Sequence, residues 1–228
     1  MLILFNMKIF ALAALAAAAL ATDDKVKVEL YYESQCPGCR QTITTSFKQA
    51  FAAEGFLDMA EVQLVPYGNA SEKEGVTGLW EFTCQHGETE CVYNSIETCA
   101  LDILADVPMD AFNFVLCIEE NDKSTSPSQD YNTVVDKCAE SAITRAHKFK
   151  ASEIKNCPKN RTGNLQEHHQ AVLTDALDPK HTYVPWVVAQ GVHNDAVQNA
   201  VQTSLLAYVC SEYKGSKRSP DCDAATDN

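Results

Sequence analysis

Two cysteines, Cys36 and Cys39, lie two residues apart in the stretch Cys-Pro-Gly-Cys, a spacing that allows a small reversible disulfide. The stretch follows an alternating apolar run, Val26–Tyr32, which predicts a strand, and it precedes apolar residues at helical spacing. A helix N-terminus lowers the pKa of a thiol placed there, and the thiolate is the nucleophile in disulfide exchange. The stretch therefore predicts a thiol–disulfide oxidoreductase.

Inside this stretch, each residue type has a distinct use. Cys36 would attack a substrate disulfide, and Cys39, one helical turn on, would resolve the mixed disulfide. Pro37 suits the first helical turn, where a missing N–H costs nothing, and Gly38 leaves room for a substrate chain. A structural disulfide and half of a zinc site, with ligands added from residues 84–86, are the alternatives. Zinc usually needs a second close cysteine pair, so we predict no metal.

The elements around the dithiol follow a β–α–β order. Val26–Tyr32 and Ala60–Pro66 alternate as strands do, and the helix between them should begin near Cys36 and stop before Gly55. Residues 70–160 favour helix and contain six cysteines. This order predicts an α/β protein: a thioredoxin-like fold with a disulfide-stapled, mainly helical insertion. The other predicted elements are helices over 91–105, 109–120, 131–148, 164–177 and 195–213, a loop over 121–130 and a strand over 183–190.

Pro185 stands near the start of the last predicted strand, where a proline is unusual. In a thioredoxin-like fold, a cis-proline turn lies against the dithiol, and Pro185 is the proline placed for that role. We therefore predict that Pro185 is cis and supports the active site. An ordinary trans proline at the start of a strand is the alternative.

The N-terminal residues and the cysteine content indicate the secretory pathway. Residues 1–21 contain a short apolar run and small residues before a cleavage point, which predict a signal peptide. A transmembrane anchor is disfavoured because the run is too short to span a bilayer. The mature domain would cover residues 22–214, and a polar tail over 215–228 should be mobile apart from Cys222. Ten cysteines favour several disulfides, whose connectivity the sequence leaves open.

Two sequons predict glycosylation sites, and the acidic net charge disfavours some classes of binding partner. Asn69-Ala-Ser and Asn160-Arg-Thr predict N-glycosylation at Asn69 and Asn160. The formal net charge of −13 argues against nucleic acid and anionic membranes as partners. No later segment is long and apolar enough to predict a membrane span.

A second group of chemically active residue types begins at Cys84. From spacing alone, residues 84–99 form a cysteine-bounded loop that runs into a helix, and a lone His86 is more often structural than catalytic. The segment resembles the signature of the gamma-interferon-inducible lysosomal thiol reductase (GILT) family, Cys-Gln-His-Gly-x-x-Glu-Cys-x-x-Asn-x-x-x-x-Cys. Its fixed positions are met by Cys84, Gln85, His86, Gly87, Glu90, Cys91, Asn94 and Cys99. Residues 183–187 also resemble the Pro-Trp segment of that family.

This resemblance covers roughly residues 26–213 and implies a reductase of protein disulfides that works at acidic pH. It places the catalytic cysteines at Cys36 and Cys39, and it implies that the signature cysteines form structural disulfides and that His86 is not catalytic. The implied protein is glycosylated, lysosomal or secreted, and linked to antigen processing or innate immunity. Its partners would be disulfide-containing proteins and a small-thiol or enzymatic reductant, and no bound cofactor is expected.

Two other functions stay open on the sequence. The chain could be a secreted, disulfide-rich binding module in which the Cys36–Cys39 bridge is structural. It could also be a disulfide isomerase or oxidase of the secretory pathway. A structural bridge should be harder to reduce than a catalytic one, so a redox titration separates the first alternative from a reductase.

Overall fold

A computed structural model describes residues 25–121, 130–142 and 151–226. The predicted signal peptide lies outside these residues. So do most of the predicted loop over 121–130 and the end of the predicted helix over 131–148.

The central sheet has the strand order β2-β1-β5. Strand β1 (Val26–Tyr32) pairs in parallel with β2 (Ala60–Pro66) and antiparallel with β5 (Trp186–Ala189). Helices cover one face, where Leu30 is completely buried, and the other face packs Tyr31 against a smaller apolar cluster. Both predicted strands of the β–α–β unit are confirmed, and β5 is a shorter strand than the predicted 183–190.

The helical segment after β1 carries the dithiol and ends before Gly55, as predicted. Ile43 and Phe47 are completely buried, which fixes this segment against the sheet. Pro37 occupies the first helical position, where its ring suits the backbone and no N–H is needed. The segment consists of α1 (Pro37–Thr42), a π-helical stretch (Ile43–Phe47) and α2 (Lys48–Ala52), and α3 (Phe56–Met59) then leads into β2.

The insertion between β2 and β5 is mainly helical, as predicted, but it begins with a hairpin that the sequence pattern did not reveal. Strand β3 (Ser71–Glu74) pairs antiparallel with β4 (Trp80–Thr83). The sequence of β3, Ser-Glu-Lys-Glu, has no apolar alternation, and three of its four residues are exposed. The helices that follow are α4 (Glu88–Ile103), α5 (Pro108–Asn121), α6 (Tyr131–Ala142), α7 (Ala151–Asn156), a 3-10 turn (Cys157–Lys159) and α8 (Arg161–Asp175).

Disulfides and a second apolar cluster hold the insertion together. Ile96 of α4, Phe114 and Ile118 of α5 and Val135 of α6 are completely buried in that cluster. Three disulfides staple this region and a fourth ties down the C-terminal tail. The four pairs are Cys84–Cys91, Cys99–Cys157, Cys117–Cys138 and Cys210–Cys222.

The last part of the chain differs from the prediction in two places. The predicted helix over 195–213 is two helices, α9 (Asp195–Thr203) and α10 (Leu205–Glu212). They separate at Ser204, whose backbone is extended and whose Oγ accepts the N–H of Ala207 at 3.2 Å as an N-cap.

The tail is the second difference. It contains α11 (Cys222–Thr226), and Ser219 is buried beside it, so the expectation of a mobile tail is corrected for this segment. The Cys210–Cys222 bond explains the difference because it brings the polar tail back onto α10. Among the described residues, no helix combines the length and the hydropathy needed to cross a bilayer.

Candidate active site

The dithiol lies at the carboxyl end of β1, where the chain turns into α1. Cys36 is the N-cap residue of α1, and its Sγ accepts the backbone N–H of Cys39 at 3.4 Å. Cys39 is completely buried, whereas Cys36 is 8% exposed. Both are free thiols. The thiol that a substrate can reach is therefore the one that receives the N–H groups and the positive dipole end of the helix.

Pro185 packs against this dithiol, and its peptide bond with Val184 is cis, as predicted. The Sγ of Cys36 lies 3.9 Å from the carbonyl oxygen of Val184. A Cβ atom at Gly38 would lie 3.3 Å from Cδ of Pro185, so any larger residue there would crowd the gap beside Cys36. The structure thus brings together the predicted catalytic pair and its three predicted supporting residues, since Pro37 begins the same helix.

The surroundings lower the pKa of the Cys36 thiol and raise the pKa of the Cys39 thiol. A hydrogen bond from the Cys39 thiol lowers the pKa of Cys36 to about 6, against the effect of burial, and nearby backbone N–H groups and His86 act in the same direction. Burial, and then the hydrogen bond and charge of Cys36, raise the pKa of Cys39 well above its usual value. At pH 5 a pKa of about 6 leaves roughly one Cys36 in ten as thiolate, compared with roughly one in 3,000 for an ordinary thiol.

The signature segment lies beside the dithiol, a location that the sequence did not predict. Gly87 has φ +99°, a conformation that favours glycine, and α4 begins at the next residue. The Cys84–Cys91 disulfide closes the loop around this turn. The Oδ1 of Asn94 accepts the N–H of Ser34 at 3.0 Å, and the hydroxyl of Ser34 donates to the carbonyl of Glu90. These bonds fix α4 to the turn between β1 and α1.

His86 and Glu90 of this segment form a cluster with Glu33, the residue after β1. The backbone N–H of His86 donates to Oε1 of Glu90 at 3.0 Å, and its Nδ1 lies 2.5 Å from Oε2 of Glu90 and 3.5 Å from Oε2 of Glu33. Both carboxylates are buried. Burial and the charge of Glu90 raise the pKa of Glu33 to about 7. Burial alone would lower the pKa of His86, but the bond to Glu90 and the charges of both carboxylates raise it.

The ligand atoms of these three residues lie within 4.8 Å of one another, a spacing that would also suit a cation. The Nδ1 of His86 is already hydrogen-bonded to Glu90, so we interpret the group as a hydrogen-bonded cluster and assign no metal to it. Cys84, which the sequence offered as a metal ligand, is in a disulfide.

Comparison with known proteins identifies the family. Residues 27–142 match the family model described as gamma interferon inducible lysosomal thiol reductase. The chain belongs to the GILT family. The gamma-interferon-inducible lysosomal thiol reductase of Carassius auratus is 38% identical, over 84% of this chain and 70% of that protein. The protein of the same name from Mus musculus is 36% identical, over 89% of this chain and 74% of that protein.

Solved structures confirm the thioredoxin-like fold with its helical insertion. BdbD from Bacillus subtilis aligns with a TM-score of 0.57 and 14% identity, covering 85% of this chain and 91% of that one. DsbA from Chlamydia trachomatis aligns with a TM-score of 0.55 and 13% identity, covering 78% and 85%. At such low identity, the likeness shows the fold alone.

In this GILT family member, a second group of buried polar side chains lies on the Cys39 side of the dithiol. The hydroxyl of Tyr32 donates to Oε2 of Glu97 at 2.6 Å, and Nε of Arg40 lies 3.5 Å from Oε2 of Glu119. Glu97 and Glu119 are both completely buried, and the charge of Glu119 adds to the effect of burial on Cys39.

The sequence could have revealed some of these groups and not others. Glu33 lies three residues before Cys36, at the carboxyl end of the first strand, where ligand sites gather. Glu90 is a fixed position of the GILT signature. Glu97 and Glu119 come from helices of the insertion, and no sequence pattern places their carboxylates at the dithiol.

The remaining predicted residues lie at the surface or in structural roles. Asn69 and Asn160 are both exposed. The Nδ2 of Asn69 donates to Oε1 of Gln85 at 2.6 Å, so this signature residue touches the first sequon. Asn160 is the N-cap of α8, and its Oδ1 accepts the N–H of Gly163 at 2.9 Å. Cys99 staples α4 to the 3-10 turn through Cys157.

Proposed function

We propose that this chain reduces disulfide bonds in proteins, with Cys36 as the nucleophile and Cys39 as the resolving thiol. The observation that carries the proposal is the difference between the two thiols. Cys36 caps a helix, is 8% exposed and has a pKa lowered to about 6, whereas Cys39 is completely buried. Membership of a family named for thiol reductases supports the same activity. A purely structural bridge would not need this difference in acidity.

The reaction consists of two exchanges. The Cys36 thiolate attacks one sulfur of a substrate disulfide, and the other substrate sulfur leaves as a thiolate and takes a proton from solvent. Cys39 then gives its proton to solvent and attacks Sγ of Cys36, and the second substrate sulfur leaves as a thiolate and is protonated by solvent. The substrate has gained two electrons and the protein holds a Cys36–Cys39 disulfide. A small-thiol or enzymatic reductant returns this disulfide to the dithiol.

The surroundings of Cys36 suit a polypeptide substrate. Pro37 is exposed and Gly38 is half-buried, so the approach to the thiol, which belongs to a residue 8% exposed, passes beside a small residue. The carbonyl of Val184 lies 3.9 Å from Sγ, where an extended substrate chain would find a backbone acceptor. Val184 and Pro185 would therefore position the disulfide for attack.

We also propose that the protein works in an acidic compartment, the lysosome, or in the extracellular space. The depressed pKa of Cys36 supports an acidic compartment because an ordinary thiol would be almost wholly protonated at acidic pH. Residues 1–21 would serve as the signal peptide, and the exposed Asn69 and Asn160 would carry glycans. Several relatives have names that include the word lysosomal.

Disulfide reduction at about pH 5, measured on a denatured disulfide-bonded protein, tests the activity. The Cys36→Ser variant should lose the activity entirely, and unchanged turnover would remove Cys36 from the mechanism. The Cys39→Ser variant should accumulate a mixed disulfide between Cys36 and the substrate. Absence of that adduct would contradict the order of attack.

A matched control removes a different cysteine pair. The double variant Cys117→Ser/Cys138→Ser opens the disulfide between α5 and α6, outside the dithiol. It should cost about 3 kcal/mol of stability and retain turnover at a temperature where the variant stays folded. In the native protein, a Cys36–Cys39 potential below about −300 mV would favour the structural bridge instead.

A further inference from the structure

The two-exchange mechanism gives His86 no role, although the fold holds this side chain firmly beside the dithiol. The Cys84–Cys91 disulfide closes its loop, and Glu90 accepts hydrogen bonds from both its backbone N–H and its Nδ1. The side chain is 34% exposed, so the imidazole meets solvent on one side and buried carboxylates on the other.

The two carboxylates that converge on this imidazole favour its charged form. Two carboxylates that lie this close, out of water, are not both ionised unless a positive group lies between them. Oε2 of Glu33 is buried, accepts no hydrogen bond from the described residues, and lies 3.5 Å from Nδ1 of His86. Oε2 of Glu90 lies 2.5 Å from the same nitrogen. The cluster therefore places an imidazolium on the Cys36 side of the dithiol.

The charges that act on Cys36 come from several packed elements. The carbonyl of Glu33 accepts the N–H of Cys36 at 3.3 Å, and the Glu33 carboxylate opposes the thiolate. The charge of His86 favours the thiolate. On α1, the Cys39 thiol donates to Cys36, while Arg40 pairs with Glu119 on the Cys39 side.

The segment before β5 faces Cys36 with groups that do not titrate. These are the carbonyl of Val184 and the ring of Pro185. His181, from the same segment, bonds instead to the backbone of Gly68, and burial lowers its pKa. Among the described residues, the positive charge that acts on the Cys36 thiolate is therefore that of His86.

We propose that His86 is a positioning residue of this dithiol, whose imidazolium, held by Glu90 and Glu33, stabilises the Cys36 thiolate as the surroundings acidify. This deepens the proposed function and rests on it for the role of Cys36. As the pH falls through about 7, Glu33 takes up a proton, and the raised pKa of His86 favours the charged imidazolium. The cluster then becomes more positive, so that the thiolate is held most strongly where protonation would otherwise remove it.

The rate of Cys36 alkylation by iodoacetamide, followed from about pH 4 to about pH 9 on the reduced full chain, tests this role because only the thiolate reacts. His86→Gln should slow alkylation about tenfold at pH 5 and leave the rate near pH 9 unchanged, as a shift of about one pKa unit requires. His86→Lys, which keeps a positive charge, should restore most of the rate. Glu33→Gln should raise the rate near pH 7 by no more than about a tenth, because about nine Cys36 residues in ten are already thiolates there, and should leave the rate at pH 5 unchanged.

His168 offers a matched control. Its Nδ1 lies 2.7 Å from Oε1 of Glu72, its side chain is 28% exposed, and it belongs to α8 at the hairpin. His168→Gln removes a similar imidazole–carboxylate pair and should leave the alkylation profile unchanged. A native profile in His86→Gln, or equal shifts in His86→Gln and His86→Lys, would overturn the proposal. So would equal shifts in the His86 and His168 variants.

Alkylation needs no protein substrate, which separates this proposal from the proposed function. A protein that lacks reductase activity but shows the His86-dependent profile would refute the function and retain the electrostatic role. An active reductase whose alkylation profile is the same in the native protein and in His86→Gln would retain the proposed function and refute the electrostatic role.

Discussion

Two clusters of buried carboxylates flank the dithiol, and they differ in what accompanies the acids. On the Cys36 side, Glu33 and Glu90 converge on a histidine that reaches solvent. On the Cys39 side, Glu97 and Glu119 are completely buried, the first bonded to Tyr32. The Nε of Arg40 lies 3.5 Å from Oε2 of Glu119, and the Arg40 side chain is 28% exposed.

This difference shows how one dithiol acquires two functions. An N-cap position and a nearby imidazolium stabilise negative charge on one sulfur, whereas burial and a nearby carboxylate disfavour it on the other. Cys36 is therefore ready to attack, and Cys39 stays protonated until the mixed disulfide forms. The insertion contributes to both environments because Glu90 and Glu97 lie on the same helix, α4.

The largest expected effect of the difference between the two sides of the dithiol is selective alkylation of Cys36. At pH 7, a pKa of about 6 makes roughly nine Cys36 residues in ten thiolates, while the buried Cys39 stays a thiol. Iodoacetamide should therefore modify Cys36 more than about a hundredfold faster than Cys39. Peptide mapping by mass spectrometry measures the ratio, and comparable rates at the two sites would refute the assignment of roles.

The pH dependence of stability should follow from the same asymmetry. The folded-state pKa of Cys36 is depressed, so its contribution to the stability of the reduced protein is present at pH 9 and is lost as the pH falls towards 6. The folding equilibrium should change by up to about tenfold per pH unit in this window. Above pH 9 the raised pKa of Cys39 reverses the slope.

Urea unfolding of the reduced and oxidised forms across this range measures the effect. The form with a Cys36–Cys39 disulfide has no titrating dithiol and serves as the control. A reduced-minus-oxidised difference that is flat between pH 6 and pH 9 would contradict the depressed pKa of Cys36.

The sequence predicted the dithiol end of the molecule well because its determinants are local. Strand alternation in Val26–Tyr32 and the N-terminal preference of Pro37 depend on neighbouring residues alone. Pro185 could be assigned because it stands near the start of the last predicted strand, where a thioredoxin-like fold places a cis proline against the dithiol; the cis bond before Pro179 was not predicted. The hairpin β3–β4 was missed since its strands bury too little surface to leave a pattern.

The polar and charged contacts around the dithiol could not be predicted in the same way. Asn94 lies 60 positions from its partner Ser34, and Tyr32 lies 65 positions from Glu97. Spacing along one chain carries no information on such pairs. The fixed positions of the signature indicated that His86 and Glu90 matter, but only the packing of α4 shows that they lie at the dithiol.

Asn94→Ala should weaken the attachment of α4 to the turn before Cys36. It removes the acceptor of the buried Ser34 N–H and should cost about 1–3 kcal/mol, measured by urea unfolding. Because α4 carries Glu90, the alkylation profile of Cys36 should also change. Asn164→Ala is the control, since Asn164 likewise bonds to the backbone, at Trp80, but lies in the hairpin region. It should lower stability and leave the Cys36 profile unchanged.

Tyr32→Phe should disturb the carboxylate cluster on the Cys39 side, and its effect on stability should be the smallest of the four predicted effects. The change removes a hydroxyl that donates to the completely buried Glu97, and it should cost about 1–2 kcal/mol because the carboxylate loses a donor out of water. Tyr31→Phe, on the neighbouring residue, removes a bond to the less buried Glu29 and should cost less. If Tyr32→Phe alters the Cys36 alkylation profile as strongly as Asn94→Ala does, the two clusters act as one network, and the division between the attacking and resolving sides is wrong.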